Sequence, residues 1–327
     1  MNALRVGIVG CGGIAVRHAH SIAALADRMV LAACCGRGRL KTEGFAAQYG
    51  GTAFTDLDAM IDAGIDLAIV TIPPFARAGE VERLAARGVH LLVEKPIALN
   101  QPSADAMVAA VEASGVIAAI GFMYRHGEAI KAWKKADAGQ SGMMTAAFQC
   151  NHLHADWWRI EAQSGGQIVE QLLHLIDLVR HFMGEPDSVY ARRARLFHAE
   201  PGYDVEDLSA MIFGWDDGRI ATLNANNIAV TGIWHKEWAL FAEKLTGRFA
   251  GWNEADFLRS DGNGEPIVIA GTTSPFVAQL VDLADAIRDR RPPLVTLREG
   301  AQTLRLALAA RRAADAGCEI RLTDVRS

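Results

Sequence analysis

Two short segments carry residue types that could do chemistry. One is Gly10-Cys11-Gly12-Gly13-Ile14-Ala15, directly after the apolar run Leu4–Val9. The other is Glu94-Lys95-Pro96, directly after the apolar run Val89–Val93. A GxGxxA string between a strand run and a helical pattern suits a dinucleotide. Gly10 permits the tight turn, Gly12 leaves no side chain in the path of a pyrophosphate, and Ala15 is small enough for close helix–strand packing. The helix that starts at Gly13 and Ile14 offers its first backbone N–H groups to the phosphates. Lys95, beyond the carboxyl end of a strand, is placed to donate a hydrogen bond to a substrate oxygen or to relay a proton.

A third segment begins at Gly165-Gly166. Within the helix expected over Gln167–Phe182, Glu170, His174, Asp177 and His181 recur at offsets of four, three and four, which stacks them on one narrow face. A helix this apolar must be mostly buried. Its polar stripe therefore faces a cavity or is paired inside the protein. His174 is the general acid/base candidate because its unperturbed pKa lies near neutrality. Glu170, one turn earlier, is placed to orient the imidazole or to favour its charged form.

The end of the second strand, Met29–Cys35, bears on cofactor choice. An acidic residue there would hold a ribose 2′-hydroxyl, but the chain reads Cys35-Gly36-Arg37-Gly38-Arg39. Arginine binds phosphate oxygens in a fork, so NADP(H) is expected over NAD(H). The competing reading leaves Arg37 and Arg39 as solvated loop charges. Trp157-Trp158-Arg159 is either a substrate-facing loop, with Trp158 stacking on the substrate and Arg159 binding its oxygens, or a hydrophobic plug. Tyr124-Arg125-His126 lines the cleft in this reading, with Arg125 among the substrate contacts. His152, His154 and Asp156 lack further ligands at recognisable spacing, so no metal is expected.

These residues need a scaffold. The first third alternates strand runs (Leu4–Val9, Met29–Cys35, Leu67–Ile72, Val89–Val93, Val116–Phe122) with helical stretches (Leu57–Ala63, Arg77–Arg87, Ser103–Ser114), the pattern of a doubly wound parallel sheet. Later strand candidates, Met143–Cys150, Ser188–Phe197, Leu208–Trp215, Ile220–Asn226 and Gly232–Phe241, are separated by turn chemistry. Asp216-Asp217-Gly218 should close a hairpin. Ser274–Arg290 and Arg298–Ala316 read as closing helices. The expectation is an α/β chain: a Rossmann domain over 1–122, then an α+β domain over 123–327 with an open, mostly antiparallel sheet, its last helices able to pack back on the first domain.

The 327 residues suit two domains. A net charge of −5 without a basic block argues against nucleic acid as the main partner. None of the five cysteines forms a CxxC pair, and Cys34 and Cys35 are read as small strand residues. With the first strand near Met1 and no long apolar span, a cytoplasmic protein with no membrane partner is expected.

In these motifs and their order the chain resembles the glucose–fructose oxidoreductase / inositol dehydrogenase / MocA family. The likeness runs through the GxGxxA turn, Thr71-Ile72-Pro73-Pro74, Glu94-Lys95-Pro96 and the Gly-Gly helix with His174 and Asp177. The resemblance implies hydride transfer between a nicotinamide and a hydroxyl- or carbonyl-bearing carbon of a sugar, polyol or related molecule. It carries the proton-handling roles to Lys95, Glu170 and His174, and it places Thr71, Pro73, Glu94 and Lys95 on the cofactor side. Three positions depart from the family pattern: Glu170 stands where Asp is frequent, Arg77 where a histidine often follows the proline-rich loop, and the acidic ribose ligand is missing. The resemblance also leaves open a redox-neutral enzyme that cleaves glycosidic bonds or eliminates, using the nicotinamide transiently, and a cofactor-binding sensor without catalysis. A homodimer or homotetramer is expected to cover the open sheet.

Overall fold

The structure, a computed structural model, describes residues 3–322 except 152, 154, 231 and 233. The chain divides into two compact units, 1–123 with 274–301 and 124–273 with 302–327. Residues 274–301 thus belong with the first unit and interrupt the expected second domain of 123–327.

In the first unit, β1 (Leu4–Val9), α1 (Gly13–Ala23), β2 (Met29–Cys35), α2 (Arg39–Tyr49), β3 (Thr52–Phe54), α3 (Leu57–Asp62), β4 (Leu67–Val70), α4 (Glu80–Ala86), β5 (His90–Val93), α5 (Gln101–Ser114) and β6 (Ala118–Ile120) follow one another. The six strands pair in the order β3-β2-β1-β4-β5-β6, all in parallel. Such strands are covered on both faces, which is why β4 reads as an unbroken apolar run and is buried throughout. Side-chain caps start two of the helices: Asp56 accepts from Ala59 N (2.8 Å) and Asn100 from Ser103 N (2.9 Å). The sheet core of Val6, Ile8, Leu67, Ile69 and Leu92 also holds Leu280 and Leu283. Each fully buried aliphatic side chain contributes about 1.5–3 kcal/mol, so residues near 280 are integral to the first unit.

The second unit contains α6 (Glu128–Lys135), β7 (Ser141–Cys150), α7 (Glu161–Ser164), α8 (Gly166–Glu170), α9 (Leu173–Met183), β8 (Ser188–Ala194), β9 (Leu208–Gly214), β10 (Ile220–Asn226), β11 (Trp234–Ala242), β12 (Leu245–Phe249), β13 (Glu254–Arg259) and β14 (Ile267–Ala270). Then come α10 (Pro275–Asp289), which returns to the first unit, α11 (Leu297–Ala316), and β15 (Ile320–Arg321). The nine-stranded sheet runs β14-β13-β12-β11-β7-β10-β9-β8-β15. Its neighbours are antiparallel except β7 and β10. Asp216-Asp217-Gly218 closes the β9–β10 hairpin, with Gly218 N donating to Trp215 O. One face carries exposed apolar residues, among them Tyr190, Ile212, Ile220, Met143 and Phe241. The strand expected over Ser188–Phe197 stops at Ala194 because the Asp207 carboxylate takes the N–H groups of Leu196, Phe197 and His198.

Candidate active site

In the first unit the glycine turn follows β1 as expected. Gly10 sits at φ +103°, and a Cβ there would lie 2.9 Å from Thr71 Oγ1 and 3.0 Å from Ile72 N. The turn is pinned by Thr71, whose hydroxyl donates to Val9 O (3.1 Å) and Gly10 O (2.5 Å). Gly12 and Gly13 differ from Gly10: a Cβ at either would meet no atom within 4 Å. Nothing in the fold requires those two to be glycine, so the space they leave open suits a group from outside. α1 has no side-chain cap and no acidic residue in its first turn, which leaves its first N–H groups available to an anion. Ile14 follows within that first turn and Pro73 leads the turn after β4. These residues fit the pyrophosphate of a dinucleotide.

The Glu94-Lys95-Pro96 segment is held from two sides. The Glu94 carboxyl is buried, with Oε1 2.7 Å from His18 Nε2 on α1 and Oε2 accepting from Lys95 N (3.2 Å). Arg77 binds the backbone: Nε donates to Ile72 O (3.0 Å), Nη1 to Pro96 O (2.7 Å) and Ile97 O (2.6 Å), and Nη2 to Glu94 O (2.6 Å). One guanidinium thus ties the proline-rich loop to the lysine loop, a geometry no imidazole could match. Burial lowers the Arg77 pKa to about 10, partly offset by Glu94 and Glu80, so it stays charged at neutral pH. Lys95 itself is half-buried, just past β5.

At the end of β2, Arg37 and Arg39 are exposed. Arg39 is the first residue of α2, not part of a loop, with Nη1 3.6 Å from Glu43 Oε1. Arg39, Thr42, Glu43, Ala53, Phe54 and Thr55 line a hollow of about 220 Å³.

In the second unit the structure corrects the continuous helix expected over Gln167–Phe182. It is broken into α8 and α9 at Gln171-Leu172, where Leu172 N reaches back five residues to Gln167 O. The break falls between Glu170 and His174, so the four polar residues do not lie on one regular face. Two of them, His174 and Asp177, meet instead the turn Tyr124-Arg125-His126, all three of whose residues are buried. The Tyr124 ring stacks on His174, centroids 4.5 Å apart and planes within 3°. Burial, reinforced by the charge of Glu170, keeps the Tyr124 hydroxyl protonated. Arg125 forms a fork on Asp177, Nε to Oδ2 (2.8 Å) and Nη2 to Oδ1 (2.6 Å), and Thr303 Oγ1 adds a bond to Oδ1 (3.3 Å). His181 is pushed down to about 3, first by burial, then by the positive charges of Arg125 and Lys134 and by His126. It is neutral at working pH.

The start of α8 is fixed by Glu206, a residue the sequence reading missed. Its Oε1 accepts from Ile168 N (3.0 Å). Gly166, at φ +82°, passes so near that a Cβ would lie 2.5 Å from Glu206 Oε2. Trp158 packs with Leu153, Tyr203 and Val205 and lies 6.5 Å from Trp234. Arg159 Nε and Nη2 donate to Leu153 O (3.3 and 3.0 Å), which braces its own loop. His152 and His154 lie outside the described residues. Among the described residues no group of three or more His, Cys, Asp or Glu could hold a metal ion, and no helix is long and apolar enough to cross a membrane.

Residues 4–122 match a model described as an oxidoreductase family with NAD-binding Rossmann fold, and 128–245 match a GFO/IDH/MocA C-terminal domain. The chain is 30% identical to a myo-inositol dehydrogenase of Streptomyces leeuwenhoekii over 232 residues, 68% of this chain and 69% of that one. It is 29% identical to the glucose-6-phosphate 3-dehydrogenase of Bacillus subtilis over 202 residues; the match covers 59% of this chain but spans only 57% of that enzyme's length. A levoglucosan dehydrogenase solved with NADH and levoglucosan superposes with a TM-score of 0.89 at 17% identity, over 98% of this chain and 99% of that one, a likeness of fold.

Proposed function

The chain belongs to the GFO/IDH/MocA family of oxidoreductases, and from that premise we propose that it is a dehydrogenase or reductase acting on a CH–OH carbon of a sugar, polyol or related small molecule, with NADP(H) preferred over NAD(H). The observation that carries the reading is the polar cluster at the α8–α9 break. His174 and Glu170 are buried in an otherwise apolar segment, and a protein does not bury such groups for stability alone.

Gly10, Gly12, Gly13 and Ile14 would hold the pyrophosphate, with Thr71 and Pro73 shaping the turn. Arg37 and Arg39 would meet a 2′-phosphate. The bound nicotinamide supplies hydride exchange with the substrate carbon. His174, its ring plane fixed by Tyr124, takes the hydroxyl proton in oxidation and returns it in reduction. Lys95, on a loop immobilised by Arg77 and Glu94, donates a hydrogen bond to the reacting oxygen. Glu170 sets the electrostatic field around His174. Trp158 and Arg159 belong to the substrate loop, and Arg125 acts on the substrate through its neighbour Tyr124. The exposed apolar face of the nine-stranded sheet serves self-association as a dimer or tetramer.

The test is a fluorescence titration with NADPH and NADH, then turnover of a panel of sugars, polyols and sugar acids read at the nicotinamide band. Tighter NADPH binding with turnover, lost at least 100-fold in kcat in Lys95→Ala and His174→Ala, supports the reading. Tighter NADH binding overturns the cofactor preference. Substrate conversion without net cofactor change moves the assignment to a redox-neutral enzyme.

A further inference from the structure

α1 leaves the end of β1, whereas Glu94 and Lys95 leave the end of β5, and β4 lies between those two strands. His18 bridges that gap. It sits in the middle of α1, fully buried, with Nε2 2.7 Å from Glu94 Oε1. A carboxylate only accepts hydrogen bonds, so Nε2 carries the hydrogen. The ring is also steadied by Phe276 of α10, which it meets edge to face with centroids 5.7 Å apart. Its Nδ1 meets no hydrogen-bond partner among the described residues, so the Nε2 bond sets the direction in which the imidazole points.

The carboxyl at the other end is confined as closely. Oε2 accepts from Lys95 N (3.2 Å), and a Cβ on Gly121, just past β6, would lie 2.7 Å from Oε2 and 2.9 Å from Cδ. The bonds thus run from α1, through one carboxyl, to the backbone of Lys95, the residue proposed to bond the reacting oxygen. Stability does not call for this arrangement, because an apolar pair of like volume often serves a buried site as well or better. The gain is precision: a reacting group must be locked by its neighbours, and misplacement by about 1 Å costs about 100-fold in rate. Gly13, where α1 begins, precedes His18 by five residues, about 7.5 Å of helix. One rigid helix therefore presents its first N–H groups where a pyrophosphate fits and, little more than a turn later, holds the lysine loop.

We propose that His18 is a positioning residue: through Glu94 it fixes the Lys95 loop in register with the helix that meets the cofactor. This rests on the dehydrogenase reading for what Lys95 does to the substrate, but not for what His18 holds.

The test compares the wild-type protein with His18→Gln and His18→Met. The two replacements are close in length and volume, but only glutamine places an N–H donor where Nε2 stands. NADPH affinity is read by fluorescence titration and kcat at the nicotinamide band, at a temperature where thermal unfolding shows each variant folded. Hydrogen exchange of the Lys95 amide is followed by NMR in protein carrying isotope-labelled lysine, its signal assigned by its loss in Lys95→Arg. His18→Met should lower kcat about 10–100-fold with NADPH affinity nearly unchanged. Its Lys95 amide should exchange about tenfold faster, the worth of one hydrogen bond. His18→Gln should bring both values back toward wild type. A loss of kcat matched by an equal loss of NADPH affinity marks a merely structural histidine and overturns the proposal. So does unaltered Lys95 exchange in His18→Met, or equal behaviour of the two variants. Faster exchange in His18→Met, recovered in His18→Gln, with no sugar or polyol turned over by the wild type, retains the positioning role and overturns the dehydrogenase reading.

Discussion

Replacing Asp177 by Asn keeps the shape of the side chain and removes its charge. In the native protein the Arg125 and Asp177 side chains are 5% and 0% exposed, so neither ion can turn to water. Arg125 cannot discharge itself. The variant thus leaves a guanidinium buried opposite a neutral amide. Breaking a buried pair in this way costs about 3–5 kcal/mol, near the upper end because the fork is bidentate and Thr303 adds a third bond. The assay has a convenient probe. All seven tryptophans (133, 157, 158, 215, 234, 238 and 252) lie in 124–273, so tryptophan fluorescence during urea unfolding reports the second unit. Asp177→Asn should lower that transition's free energy by about 3–5 kcal/mol. The double variant Arg125→Met/Asp177→Leu should recover most of it, because an apolar pair of similar volume replaces both ions. Activity should fall in the single variant as well, since Arg125 adjoins the tyrosine stacked on His174. A loss below about 1 kcal/mol, the range of solvent-exposed pairs, or a double variant as unstable as the single one, refutes the reasoning.

Gly12→Val should abolish NADPH binding while leaving the unfolding transition nearly unchanged, because its Cβ meets no protein atom, whereas Gly10→Val should destabilise the first unit through collision with Thr71 and a strained φ; titration beside thermal unfolding separates the two. Arg77→Met should reduce kcat more than it raises the KM for cofactor, because it frees the lysine loop without touching the glycine turn; equal effects on both would refute the staple. Stability of the second unit should fall as pH drops from about 6.5 toward 5. His181 is held down to about 3 when folded and protonates near 6.5 when unfolded, so the unfolded state binds the extra proton over that window and up to about 2 kcal/mol is lost by pH 5. His181→Gln should flatten that slope. His90 in the first unit is shifted the same way by burial.

The glycine turn and the parallel sheet were legible because strict local rules govern both. A buried parallel strand must be apolar throughout, and a GxGxxA turn must sit at its end. α2 was missed because only Thr42 and Phe45 on it are buried, too few for a visible apolar period. β12, β13 and β14 run only four to six residues. The polar residues of α8 and α9 were found by spacing, yet spacing misstated their geometry, because the helix break at Gln171 depends on tertiary contacts no periodicity records. Glu206 and His18 went unseen for the same reason: each acts on residues distant in sequence.

Two consecutive residues, Tyr124 and Arg125, each face a different member of the α8–α9 cluster: His174 and Asp177. This makes the turn a ruler with one setting. Deleting or inserting a single residue there would shift every pairing at once, so length changes should be far less tolerated in this turn than in an exposed loop such as 261–266. Chimeras that join this first unit to another second unit should therefore cross over before residue 123 and carry the turn with the helices it measures.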